Sequence, residues 1–88
     1  MKRSRLEIIQ NILKIIQENN NEIKPTPLLR KSNLSSKRFN EYFEDLLNKE
    51  FVSELENKTG KIISLTDKGF RYLEKYKSII GFIEEFEL

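Results

Sequence analysis

The run Ser35-Ser36-Lys37-Arg38-Phe39-Asn40 brings two hydroxyls, two cations and a side-chain amide together in a short stretch. Asn40 carries the paired donor and acceptor that match the adenine edge, and Lys37 or Arg38 can reach guanine or a phosphate. Arg30 and Lys31, just upstream, are cations suited to backbone contacts that set register. Lys58 and Lys61 flank a second polar stretch. All these groups hydrogen-bond and neutralise charge; none makes or breaks a bond. With no histidine and no cysteine, the chain lacks the common general base, the thiolate nucleophile and most transition-metal ligand sets. No catalytic residue, cofactor site or metal site is expected. Glu84, Glu85 and Glu87 read as a solvated helix face. Thr59-Gly60-Lys61 falls short of a phosphate loop, which needs glycine where Leu55 stands and serine or threonine where Ile62 stands.

Charge is distributed unevenly along the 88 residues. The net charge is only +2, yet residues 1–40 hold nine Lys/Arg against three Glu, while residues 41–88 hold seven Lys/Arg against eleven Asp/Glu. A basic half attracts a polyanion, and an acidic half maintains solubility or repels the wrong face of it. The bland alternative is a set of solvated helix faces rich in Lys and Glu. The length predicts one domain over residues 1–88 with a modest core, a size at which pairing often adds stability. The absence of cysteine removes any argument for secretion, and the apolar run from Ile79 to Ile83 is too short to span a bilayer. A cytoplasmic location without membrane attachment is expected.

The elements that must position these groups are legible from periodicity and caps. Leu6, Ile9, Leu13 and Ile16 form one apolar stripe of a first helix capped near Ser4 and ending at Glu18. Ile8, Ile12 and Ile15 form a second stripe beside it, wide enough to predict burial on two sides. Asn19, Asn20 and Asn21 end that helix. Thr26-Pro27 predicts a cap and first position for a short second helix to about Ser32. Asn33-Leu34 supplies a turn, and Ser35 caps a third helix to about Lys49, with Phe39, Phe43 and Leu46 inward. Val52 through Leu55 favours a strand, Asn57-Lys58-Thr59-Gly60 a four-residue loop, and Lys61 to Leu65 a return strand with Ile63 and Leu65 on one face. Thr66 caps a last helix running nearly to Leu88. Gly69 falls inside its first turn, where its amide can donate to the Thr66 oxygen and its bare Cα lets neighbouring backbone approach.

The order α-α-α-β-β-α, mainly helical with a small β-hairpin, is a winged helix-turn-helix arrangement. The segments LRKSNLSSKRFNEYFEDLLNKEFV and ISLTDKGFRYLEKY resemble the small winged-helix DNA-binding proteins of archaea that carry an extra C-terminal dimerising helix. Leu34-Ser35 matches the opening of that family's recognition helix, and Leu65-Thr66-Asp67-Lys68-Gly69 its last-helix motif. Glu50 stands where the family usually has glycine. The resemblance implies duplex DNA as partner, association with the nucleoid, a recognition helix over about 35–49 in the major groove, and a wing over about 56–61 on the minor groove or backbone. The contact residues are then Arg30, Lys31, Ser35, Ser36, Lys37, Arg38, Asn40, Lys58 and Lys61, whereas Glu41 and Glu44 would repel phosphates.

The last helix continues past what the domain needs. Tyr72, Tyr76, Ile79, Ile83 and Phe86 recur at four, three, four, three, the seam of a coiled coil. A homodimer is expected, joined over residues 72–88 and packed on Ile8, Ile12 and Ile15. The alternative is that the tail folds back on its own domain, with Gly81 breaking the helix; otherwise Gly81 permits close helix crossing. A sequence-specific transcriptional regulator is the leading expectation. An architectural chromatin protein and a protein-interaction module of the transcription machinery are the rivals.

Overall fold

In the computed structural model, which describes residues 4–88, six elements follow one another: α1 (Arg5–Glu18), α2 (Pro25–Ser32), α3 (Ser36–Asn48), β1 (Val52–Asn57), β2 (Gly60–Leu65) and α4 (Asp67–Glu85). Three helices start on the expected hydroxyls. Ser4 Oγ accepts from the Glu7 N–H at 3.1 Å, Ser35 Oγ from the Arg38 N–H at 3.2 Å, and Thr66 Oγ1 from the Gly69 N–H at 3.2 Å. Helix α2 differs from the expectation: it starts at Pro25 behind Lys24, without a side-chain cap, rather than on Thr26. Proline forces the residue before it into extended backbone, and Lys24 has φ −81° and ψ 154°. Both Pro25 and Pro27 then lie in the first turn, where backbone donors have no intrahelical partner to lose.

Helix ends follow a second rule. Asn20, Glu50 and Glu87 adopt left-handed backbone just beyond α1, α3 and α4. In each case the next residue's N–H reaches back across the turn: Asn21 to the Ile16 carbonyl at 3.0 Å, Phe51 to Leu46 at 2.9 Å, Leu88 to Ile83 at 2.9 Å. These are Schellman closures. Glu50, with φ 62°, therefore occupies a conformation in which glycine is favoured, and the turn forms without one.

The two strands pair antiparallel from Val52↔Leu65 to Asn57↔Gly60. The hairpin tip is thus the two residues Lys58 and Thr59, not the four-residue loop expected. Asn57 Oδ1 accepts from the Thr59 N–H at 2.9 Å and from its hydroxyl at 2.8 Å, and Gly60 takes φ 115°, which tightens the turn until Asn57 and Gly60 become paired strand ends. Val52 is buried, whereas Leu55, three residues on and hence on the opposite face, points to solvent. A third, single-residue strand joins the sheet: Ile23 and Ile63 exchange N–H to carbonyl bonds of 3.1 and 2.8 Å. No local periodicity signals it.

The core collects Ile8, Ile9, Ile12, Leu13 and Ile16 of α1 against Ile23, Leu28, Phe39, Leu46, Val52, Ile63 and Leu65. This corrects the assignment of Ile8 and Ile12 to a surface for a second copy. They are 1% and 0% exposed within the chain, while Leu6 of the supposed core stripe is 56% exposed. Helix α1 is packed by α2, β2 and α4 of its own chain, with α4 along the side that carries Leu6, Gln10 and Lys14. Helix α4 runs unbroken through Gly81, where an added Cβ would meet nothing, so the glycine neither breaks the helix nor seats an intramolecular crossing.

Candidate nucleic-acid interface

The helix-turn-helix is α2, the turn at Asn33 in left-handed backbone, and α3. The turn is tightened by Ser32, fully buried, whose hydroxyl donates to the Leu29 carbonyl at 2.6 Å and accepts from the Leu34 N–H at 3.3 Å. Phe39 and Leu46 are buried and Phe43 stacks on Phe39 at 5.5 Å, which fixes the rotation of α3 about its axis. The opposite face is thereby presented to solvent. Ser36, Lys37, Arg38, Asn40, Glu41 and Glu44 are all exposed. The side chains of Lys37, Arg38 and Asn40 make no hydrogen bond or ion pair among the described residues.

The far end of α3 is held by the Thr66-Asp67-Lys68-Gly69 motif. The Thr66 hydroxyl donates to the Glu50 carbonyl, the Thr66 N–H to the Phe51 carbonyl at 3.2 Å, and the Lys68 ammonium to the Lys49 carbonyl at 2.7 Å. A cation placed on the last carbonyls of a helix opposes its negative dipole end. Lys68 also sits 4.7 Å over the Phe51 ring. At Gly69 a Cβ would lie 2.3 Å from the Phe51 carbonyl oxygen, a distance no side chain tolerates. The expected close approach of backbone at this glycine is present, and its partner is the turn that leaves α3.

The remaining residues expected at the interface divide into free and committed groups. Arg30 is exposed and unpaired among the described residues, while Lys31 reaches Asn19 Oδ1 at 3.4 Å. The Ser35 hydroxyl is occupied by its cap. At the wing, Lys58 is exposed at the tip, and Lys61 lies 3.5 Å from Glu54 across the hairpin. Lys24 ties the tip to the start of α2 through the Thr59 carbonyl at 3.0 Å, a contact between residues 35 apart that nothing local announces. Arg5, stacked 5.6 Å over Tyr42 and paired with Asp45, joins α1 to α3. Among the described residues no group of three or more acidic side chains could hold a metal ion, and no helix is long and apolar enough to cross a membrane.

The seam expected along α4 splits in two. Tyr72 is half-buried against Phe51 with its hydroxyl donating to the Leu6 carbonyl at 3.0 Å, and Tyr76 stacks beside it. Burial, then the neighbouring Tyr76, raises the Tyr72 phenol above its ordinary pKa of 10.0, with Arg5 pulling the other way. Ile79, Ile83 and Phe86 are exposed, together with Phe82, which is 55% exposed. Phe82 lay off the strict four-three spacing but lies three residues after Ile79 and four before Phe86, so it shares their face. Ile15 is half-buried on the core.

Comparison with known proteins agrees with this architecture. The winged-helix DNA-binding protein from STIV superposes with a TM-score of 0.76 at 21% identity, covering 90% of this chain and 91% of its own. Sso10a-2, a DNA-binding protein from Sulfolobus solfataricus, superposes with a TM-score of 0.77 at 18% identity, covering 97% of this chain and 86% of its own. At these identities the likeness is one of fold. An uncharacterized protein of Methanocaldococcus jannaschii is 36% identical over 83 residues, which are 94% of this chain but 36% of that protein, so the chain spans about a third of that relative's length. A family model described as winged helix-turn-helix matches residues 2–84, and the chain belongs to that family.

Proposed function

We propose that this chain binds duplex DNA as a homodimer and acts as a sequence-specific transcriptional regulator in the cytoplasm, with α3 in the major groove. The observation that carries the reading is the exposed face formed by Ser36, Lys37 and Asn40 at the N-terminal half of α3, whose side chains have no partner among the described residues and whose helix is positioned by the Ser35 cap and the Phe39–Phe43 stack. Arg30 and Lys31 on α2 then take the backbone, and Lys58 at the wing tip lies along the minor groove or phosphates. That the two structural neighbours are DNA-binding proteins supports the partner class. For pairing, the support is the exposed face of Ile79, Phe82, Ile83 and Phe86. Fully burying each such side chain is worth roughly 1.5 to 3 kcal/mol. Two-fold pairing places one α3 in each of two successive major grooves on a site of approximate palindromic symmetry.

Gel-shift titration over a salt series tests the reading. Affinity is expected to fall steeply, with a log–log slope of about 0.9 per phosphate neutralised, and Lys37→Glu to weaken binding on every duplex. Absence of binding to any duplex at low salt overturns the proposal. Equal affinity for a random duplex and for the gene's own upstream region favours architectural coating over regulation.

A further inference from the structure

The reading face of α3 contains one feature at odds with simple attraction to a polyanion. Glu44 lies four residues after Asn40 and seven after Lys37, on the same exposed stripe, roughly 10 Å along the helix from Lys37. Its helical neighbours three and four positions away are Asn40, Glu41, Leu47 and Asn48, none of them a cation. Asp45, the adjacent carboxylate, is by contrast held by both Arg5 and Lys49. Glu41 lies toward the flank, beside a small cleft that it lines with Arg5, Arg38 and Tyr42. Glu44 is exposed and makes no hydrogen bond or ion pair among the described residues.

A helix that inserts the Lys37–Asn40 stripe into a major groove carries Glu44 in with it. Against phosphate the carboxylate is repelled. Within the groove, a donor on a base edge offsets that repulsion. The N4 amino group of cytosine is such a donor, without the adjacent N7 acceptor that makes adenine a poor match for a carboxylate. Resting on the DNA-binding reading above, we propose that Glu44 is a specificity-determining residue: it accepts a hydrogen bond from a cytosine amino group at a matching site and penalises every complex in which no such donor faces it. The same carboxylate then weakens random binding and favours the matched site.

Glu44→Gln removes the charge at constant shape and adds a donor, so it converts a cytosine acceptor into the paired donor and acceptor that suit adenine. Duplexes are selected from a random pool with the wild-type chain and with Glu44→Gln. Affinities for the selected and random duplexes are then measured by fluorescence anisotropy, and thermal melting verifies that the variant is folded. The wild type is expected to enrich a cytosine at one position of each half-site, and the variant to lose that preference in favour of adenine. The variant's affinity for random duplex should rise several-fold, and its affinity for the wild-type site should fall about tenfold, within the roughly 5- to 150-fold range of a good base contact. Identical selected sites, or equal shifts on selected and random duplexes, overturn the role of Glu44 while leaving DNA binding standing. A wild-type chain that binds no duplex overturns both.

Discussion

At the scale of single residues, small atoms decide more than charges do. Gly69 illustrates this: its cost as a helix residue is about 1 kcal/mol relative to alanine, but any side chain collides with the Phe51 carbonyl. Gly69→Val is expected to lower unfolding free energy by about 2 kcal/mol or more in urea titration, because the colliding atom is backbone and cannot swing aside. On the proposed function the folded fraction should bind duplex as before, since Gly69 is buried against the turn after α3 and not on its exposed Lys37–Asn40 face; unchanged melting would contradict this account. Tyr72 makes a pH-dependent contribution. Its folded pKa is raised above 10.0 because burial and Tyr76 disfavour the phenolate. Between the unfolded and folded values the native state holds more protons than the unfolded chain, so this contribution is complete below about pH 10 and is lost as pH rises through the folded pKa. Tyr72→Phe is expected to flatten the alkaline fall in stability measured by thermal melts across that window, and an unaltered fall would assign it to other groups.

At the scale of elements, the same rules operate at each joint. The α3–β1 turn is shared by three motifs: the Schellman closure through Glu50, the Thr66 hydroxyl on the Glu50 carbonyl, and Lys68 on the Lys49 carbonyl. Glu50 itself is the weak member, since left-handed backbone disfavours any residue with a Cβ. Glu50→Gly is expected to stabilise the domain by about 0.5 to 1 kcal/mol in chemical denaturation, the relief of left-handed strain exceeding the extra entropy of an unfolded glycine. A destabilised variant would mean that the glutamate side chain contributes something its exposed position does not suggest. The joint also explains how the last-helix motif relates to the exposed face of α3: it sets where α3 ends and so how the wing stands beside it. The motif therefore serves geometry, and its lysine is spent on a carbonyl instead of a phosphate.

At the scale of the whole molecule, the distribution of exposed apolar surface separates the two ends of α4. The first half of the helix is used by the domain itself, through Tyr72 against Phe51 and Leu73 against the core. Ile79, Phe82, Ile83 and Phe86 are exposed among the described residues. If the chain pairs as proposed, Ile83→Asp is expected to give a monomer by light scattering behind size exclusion, without loss of the monomer's helical signal. Ending the chain at Lys77 should also give a monomer, with the helical signal lowered by the part of α4 that is removed. A mass that stays dimeric in both would show that pairing uses another surface. If α4 pairs the copies, weakening it should also flatten the dependence of DNA affinity on half-site spacing.

What the sequence determined by itself is whatever depends on neighbours a few residues apart. Ser4, Ser35 and Thr66 cap their helices because capping is a contact three residues long, and Phe39, Phe43 and Leu46 share a face because helical period sets it. The order of elements and the exposed Lys37–Asn40 face of α3 follow from the same local rules. Tertiary structure decided what depends on which surfaces meet. Two apolar stripes on α1 were legible, but that Ile8 and Ile12 are buried inside the chain while the Leu6 side chain is left outside depends on how α2, β2 and α4 pack on the helix, which spacing within α1 does not encode. The Ile23–Ile63 bridge, the Lys24 tie to the wing tip and the pairing of Lys61 with Glu54 are likewise products of packing. Local energies of about 1 kcal/mol choose a cap or a turn, whereas burial of a whole stripe is worth several times more and is realised only once distant segments have come together.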